Sequence, residues 1–157
     1  MTATNELVSS ISESKQFSTF YIGDRLFGID VMQVQEVTPS LHVTRIPLAP
    51  AFVKGLINLR GQLATTIELR NLFTFKDQPP ATMMNVVCRH DGVLLAFLVD
   101  RIGDVVEVED GMFEPTPDTV SEGVRKFMQG VYKTPGQLLS VIEVPKITCF
   151  LNTQNEK

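Results

Sequence analysis

Between the first two proline-marked breaks of its middle third the chain reads Pro50-Ala51-Phe52-Val53-Lys54-Gly55-Leu56-Ile57-Asn58-Leu59-Arg60-Gly61-Gln62-Leu63-Ala64-Thr65-Thr66-Ile67-Glu68-Leu69-Arg70. A turn of helix started by Pro50 is expected first, broken at Gly55. A compact apolar strand follows, then a charged turn at Arg60-Gly61, then a second strand running into Leu69-Arg70-Asn71-Leu72. Two apolar strands joined by a tight turn that carries one arginine form a rigid presentation device. Gly55 is expected either to adopt a backbone conformation closed to other residues or to let two subdomains approach closely.

The same grammar of short strands and turns extends in both directions. Upstream, Phe17 to Ile22 and Arg25 to Ile29 flank Gly23-Asp24 as a hairpin. Asp30 then stands as an N-cap with Gln33 three residues on and Val31, Val34 and Val37 at helical spacing, which predicts a short helix exposing Gln33, Gln35 and Glu36. Leu41 to Ile46 reads as a short strand. Downstream, Met83 to Cys88 and Val93 to Val99 flank His90-Asp91-Gly92, and Phe127 to Tyr132 and Leu138 to Glu143 flank Thr134-Pro135-Gly136, giving two more hairpins. Val105 to Glu109 alternates as a half-buried strand should. Phe113 to Thr119, with two prolines, reads as a stiff exposed loop. The expected fold class is all-β, with small barrels and no long helix.

At 157 residues and 43% hydrophobic content the chain suits one domain or two small subdomains sharing a core. Residues 1–16 carry too little apolar surface to offset ordering and are expected to be a disordered tail. The polar, proline-rich 75–80 stretch is the expected subdomain boundary, dividing a first subdomain (about 17–78, with 143–151) from a second (about 79–142). A net charge of −4 with dispersed Lys and Arg argues against a nucleic-acid or anionic-membrane partner. Cys88 and Cys149 are too few for a disulfide framework or zinc site, and both read as inert apolar fillers in a reduced, cytoplasmic protein. No segment is long and apolar enough for a membrane span, and the N-terminus carries no basic, apolar secretion signal. His42 and His90 lack partners at catalytic spacing, and there is no nucleophile elbow or phosphate-cradling glycine loop. Asp100, Asp104, Glu107, Glu109 and Asp110 form an acidic run, best explained as a solvated edge that discourages sheet aggregation. No catalytic residue, metal or cofactor is therefore expected.

Gly55-Leu56-Ile57-Asn58-Leu59-Arg60-Gly61 followed by Ile67-Glu68-Leu69-Arg70 resembles the signature of the CheW family, the adaptors that couple chemoreceptors to a histidine kinase. Phe27 to Val37, Val43-Thr44-Arg45-Ile46-Pro47 and Leu98 to Val105 are similar to that family at matching spacing, so the resemblance runs from about Phe17 to about Pro145. It implies two intertwined SH3-like five-stranded β-barrels with short connecting helices. It also implies two partners: the cytoplasmic hairpin tip of a chemoreceptor, and the regulatory domain of a CheA-type histidine kinase. Positions matching the contact regions are Val34 and Glu36 on the short helix and its exit, Gly55, Arg60 and Gly61, with Ile102 and Val105 in a second segment. Glu114, Asp118 and Thr119 match a proline-containing loop near a kinase-contact surface.

This sequence departs from the family pattern at Thr65, where proline is usual, at Glu68 and Glu143 for aspartate, at Ala96 for glycine, at Asn85 inside an apolar strand, and at Pro145 in a closing helical segment. These departures fit a divergent paralogue serving a pilus-based or other sensory pathway. The rival reading is a small barrel that binds single-stranded nucleic acid by stacking on Phe17, Phe20 and Tyr21, although only Arg25 is basic nearby.

Overall fold

Eleven strands and three short α-helices make up the computed structural model, which describes residues 14–155. A six-stranded sheet has the order β8-β1-β2-β11-β10-β9. Its members are β1 (Ser14–Ile22), β2 (Arg25–Asp30), β8 (Arg101–Glu109), β9 (Phe113–Glu114), β10 (Met128–Thr134) and β11 (Gln137–Ile142). The second sheet has the order β3-β6-β7-β5-β4, built from β3 (Val34–Pro39), β4 (Val53–Leu59), β5 (Gln62–Glu68), β6 (Met84–His90) and β7 (Val93–Val99). Helices α1 (Leu69–Leu72), α2 (Glu122–Arg125) and α3 (Val144–Asn155) fill the joints. The all-β expectation holds, with six strands in one sheet because the two-residue β9 adds to the expected five.

Strands that read as continuous apolar runs do so because both of their faces are buried. In β6 and β7, Val86, Cys88, Leu95, Phe97 and Val99 point into a core shared with Phe20, Ile22, Phe27 and Ile29 of the other sheet. The intervening Val87, Leu94 and Ala96 join Ile57, Leu59 and Ala64 in a core private to the five-stranded sheet. Phe17, Leu26, Val108, Tyr132, Leu139 and Val141 form the private core of the six-stranded sheet. Two curled sheets thus clasp one common layer.

The chain passes between sheets at Val31–Gln33, a single turn of 3-10 helix, and again at Asp100. The 75–80 stretch lies within the β5–β6 connection, so the sheets divide the chain into 34–99 against 14–30 with 101–142, not at residue 78. A polar, proline-rich interruption marks an exposed excursion as readily as a boundary, and only strand pairing separates the two.

Several local expectations are corrected. Residues 1–13 of the expected tail lie outside the described residues, but Ser14, Lys15 and Gln16 extend β1 and pair with Glu109, Val108 and Glu107. The helix after Asp30 lasts one turn, capped where Asp30 accepts from the Met32 N–H. Val34 and Glu36 lie on strand β3, since β-branched residues at 34 and 37 pair better with β6 than they pack on a helix. Pro50 starts no helix. Leu41 to Ile46 forms only an isolated bridge, Thr44 to Leu56. Pro145 does not interrupt the closing helix but sits in the first turn of α3, where a missing N–H is harmless. Alternating burial of Val144, Ile147 and Phe150 against the shared core makes that helix, which the short-strand reading missed.

Candidate functional site

The β4–β5 hairpin turns at Arg60 and Gly61, whose φ values of +52° and +88° place both central residues in the left-handed region. That geometry matches the twist of the flanking strands and tolerates few side chains. The Gly61 N–H donates to Asn58 Oδ1 at 2.8 Å and fixes the corner from inside.

From this corner the exposed Arg60 guanidinium donates to the Glu36 carboxylate on β3. Because β3 and β4 are the two outer strands of the five-stranded sheet, the pair joins its edges and helps close it into a barrel. The hydrogen bond and the charge of Glu36 raise the Arg60 pKa above its ordinary value, so the group stays charged. Arg89 on β6 continues the polar rim, donating from Nε to Gln35 Oε1 at 3.0 Å and from a terminal nitrogen to Gln62 Oε1 at 2.8 Å. Gln35, Glu36, Arg60, Gln62 and Arg89 therefore form one exposed patch at one end of the barrel. Sequence reasoning found Glu36 and Arg60 but not Arg89 or Gln62. Gln62 was legible as the neighbour of the turn; Arg89 gave no signal, because its role depends on β6 lying between β3 and β7. Chemically the patch can pair with a partner's carboxylate through the remaining donors of Arg60.

Val34 sits beside this patch, half-buried against the shared core. Gly55 lies further along β4, with φ of +143° at a register shift opposite Thr66. A Cβ there would stand 2.1 Å from the Thr44 carbonyl oxygen and 2.7 Å from Val43 Cγ1. The close approach it permits is within the five-stranded sheet, between β4 and the 43–44 segment, and not between the two barrels.

Ile102 and Val105 belong to the other sheet, on edge strand β8. Ile102 packs against the shared core opposite Phe20, and Val105 is exposed opposite Ser18. Glu107 and Glu109 are exposed along the same edge. Glu114 lies on β9, at the opposite end of the strand order, paired with Lys133 at 3.2 Å. Asp118 approaches Arg125 at 3.8 Å, and Arg125 also donates to the Thr116 and Pro117 carbonyls, so the loop is pinned as well as proline-stiffened. Thr119 is exposed beside it. The candidate residues therefore fall into three regions, of which only the Glu36–Arg60 pair is in direct contact.

A groove of about 430 Å³ with a mixed, uncharged wall was not anticipated from sequence. It is lined by Ile46, Leu48, Phe52, Val93, Leu95 and Leu151 together with the polar Thr65, Thr148 and Asn152, with no ionisable side chain in its wall. The reading of Cys149 as a filler is also corrected, since it is exposed; Cys88 is buried, and burial pushes its thiol up to about 12. The stacking surface for nucleic acid is not there: Phe17 and Phe20 are buried in the cores, and the Arg101 guanidinium covers the Tyr21 ring at 3.7 Å. Among the described residues no group of three or more His, Cys, Asp or Glu is placed to hold a metal, and no helix is long and apolar enough to cross a membrane.

Comparison with known proteins bears on the whole fold. A chemotaxis protein CheW of Rhizobium meliloti is 28% identical over 145 residues, covering 92% of this chain and 94% of that protein. One of Helicobacter pylori is 29% identical over 136 residues, covering 86% and 82%. The crystal structure of a scaffolding protein, TtCheW from Thermoanaerobacter tengcongensis, superposes with a TM-score of 0.74 at 27% identity, covering 82% of this chain and 88% of that one. The family model of the CheW-like domain matches residues 16–149, nearly the whole described chain, and the protein belongs to that family.

Proposed function

We propose that the chain is a non-catalytic chemotaxis adaptor that couples chemoreceptors to a CheA-type histidine kinase. Its relatives bear the names chemotaxis protein and scaffolding protein. The observation that carries the reading is the Arg60–Glu36 corner: an exposed, permanently charged group held at a left-handed turn and tied to the opposite edge of its barrel. Such a group recognises a partner without reorganising, which lowers the entropic penalty of binding. One partner is the cytoplasmic hairpin tip of a receptor, the other the regulatory domain of the kinase, and receptor binding recruits the adaptor to the inner face of the membrane. Val34, Glu36, Gly55, Arg60 and Gly61 serve one barrel's contacts, and Ile102 and Val105 the other's. Coupling arises because both partners bias one rigid body.

The test is Arg60→Glu in a reconstituted mixture of receptor, kinase and adaptor. The melting temperature and circular dichroism should stay close to those of the unsubstituted chain while receptor-dependent kinase activation falls. Unfolding would assign Arg60 to the fold, and unchanged activation would remove the corner from the site. Identification of the kinase captured from the native cell decides between flagellar chemotaxis and a pilus-based pathway.

A further inference from the structure

Arg70 follows β5 at the base of α1 and is buried, yet it carries a full charge into the junction between the sheets. Its two terminal nitrogens donate to the two oxygens of Asp100 at 2.5 and 2.7 Å, and one of them also to Asp77 Oδ2 at 3.1 Å. Asp100 is the single residue between β7 and β8, where the chain leaves one sheet for the other. Its Oδ2 accepts the Gly23 N–H at 2.7 Å and its own N–H donates to the Tyr21 carbonyl at 3.0 Å, both in the β1–β2 hairpin of the six-stranded sheet. Asp77 is shared in turn with Arg25 of β2, at 3.4 Å. One guanidinium thus ties the end of β5, the β5–β6 connection, the sheet crossover and the opposing hairpin turn into a single set of directional bonds.

The shared apolar core already holds the sheets together, but hydrophobic contact is non-directional and tolerates sliding. A bidentate arginine–carboxylate pair adds little net stability over an apolar replacement of the same shape, while admitting only one geometry. We propose that Arg70 is a positioning residue that sets the angle between the two sheets through Asp100, and with it the separation between the Arg60–Glu36 corner and the β8 surface.

The proposal is tested on the free chain, independently of any partner. In a Cys149→Ser background, with Cys88 buried, spin labels at Leu63→Cys and Leu138→Cys report the distance between exposed hairpins of the two sheets. The background should give one narrow distance distribution. Arg70→Lys and Asp100→Asn should broaden or shift it, and Asp77→Asn, which leaves the Arg70–Asp100 pair in place, should not. Hydrogen exchange on the chain without labels supplies the second readout: in Asp100→Asn the Gly23 amide should lose protection while the Leu95 and Phe97 amides of β7 keep theirs. Unchanged distances in both pair variants would overturn the proposal. So would a uniform loss of protection across Gly23, Leu95 and Phe97, which would mark the pair as a contributor to stability alone. If Arg70→Lys does not fold, Asp100→Asn, nearly the same shape as the native residue, decides the outcome by both readouts.

Discussion

Arg60 and Arg70 stand at the two ends of β5, and each holds a carboxylate from another part of the chain, but 76% of the Arg60 side chain is exposed against 3% of Arg70. Both guanidinium pKa values are raised, in each case first by the hydrogen bond to the carboxylate partner. The chemistry is the same and the consequences are opposite. In water the Arg60–Glu36 pair is screened and contributes little to stability, which leaves its donors available to a partner. Out of water the Arg70–Asp100 pair has no competitor for its bonds, so it specifies geometry. Burial, not residue type, separates the arginine proposed for recognition from the one proposed to set the geometry of the sheets.

The sharpest way to break that contrast is to delete each arginine. Arg70→Ala leaves the mostly buried Asp100 carboxylate, 10% exposed, without its counter-charge and should destabilise the chain by about 3 kcal/mol, the lower end of the range for removing one partner of a buried pair. Arg60→Ala should shift the urea midpoint little. Similar midpoints for the two variants would mean that burial does not distinguish them. Gly55→Asp comes next. Its Cβ would meet a backbone carbonyl in a conformation side chains rarely adopt, so it should cost about 1–3 kcal/mol and weaken partner binding as well. A fully stable, binding-competent variant would show that the 43–44 segment can move away.

Acid sharpens the contrast by a smaller amount. Burial alone would push the Asp100 carboxyl up, but hydrogen bonds from Arg70 and the Gly23 N–H outweigh it, and the folded-state pKa lies below the ordinary carboxylate value. Asp77 is also lowered, chiefly by its hydrogen bond from Arg70. Groups with depressed folded pKa values contribute stability that is fully present above the unfolded value, about 3.9 for Asp, and that is lost as pH falls through the folded value. Melting temperature should therefore drop on acidification, and Asp100→Asn, less stable at neutral pH, should show a flatter acid limb. Parallel pH profiles for the two proteins would mean that Asp100 is not a source of the acid sensitivity.

How much of this contrast could be read in advance follows from range along the chain. Hairpins were legible because Gly23-Asp24, Arg60-Gly61, Asp91-Gly92 and Pro135-Gly136 encode their turns locally. The Arg60 corner was legible for the same reason, together with the family signature. Neither the strand end and family signature that hold Arg70 nor the acidic run and family-like segment that hold Asp100 points to a pair, because their partnership spans thirty positions and depends on which sheet each segment joins. Asn85 looked like an interruption of β6 and is not one: it is buried within the strand, with its Nδ2 donating to the Pro39 carbonyl at 3.5 Å. Helix α3 was implied only by the family's closing helical segment, because its apolar residues alternate with Lys146, Thr148 and Asn152 over only three turns.

The smallest effect is expected in the third region, the Glu114 to Thr119 loop. Read alone, Glu114 and Asp118 make it negative and suit a basic surface on the proposed kinase partner. In the fold, Lys133 and Arg125 partly neutralise them, and Arg125 holds the Thr116 and Pro117 carbonyls besides. What remains outward is a rigid loop with a weak negative field, suited to steering an encounter more than to holding a complex. Replacing Glu114 and Asp118 together by Lys reverses that field and sets Lys beside Lys133 and near Arg125. The association rate with the kinase should fall modestly at low salt, the deficit should shrink as ionic strength rises, and dissociation should change little because no buried contact is lost. A faster dissociation that salt does not relieve would instead place the loop inside the interface, as a packed surface, and would count against the recognition role proposed for the Arg60 corner.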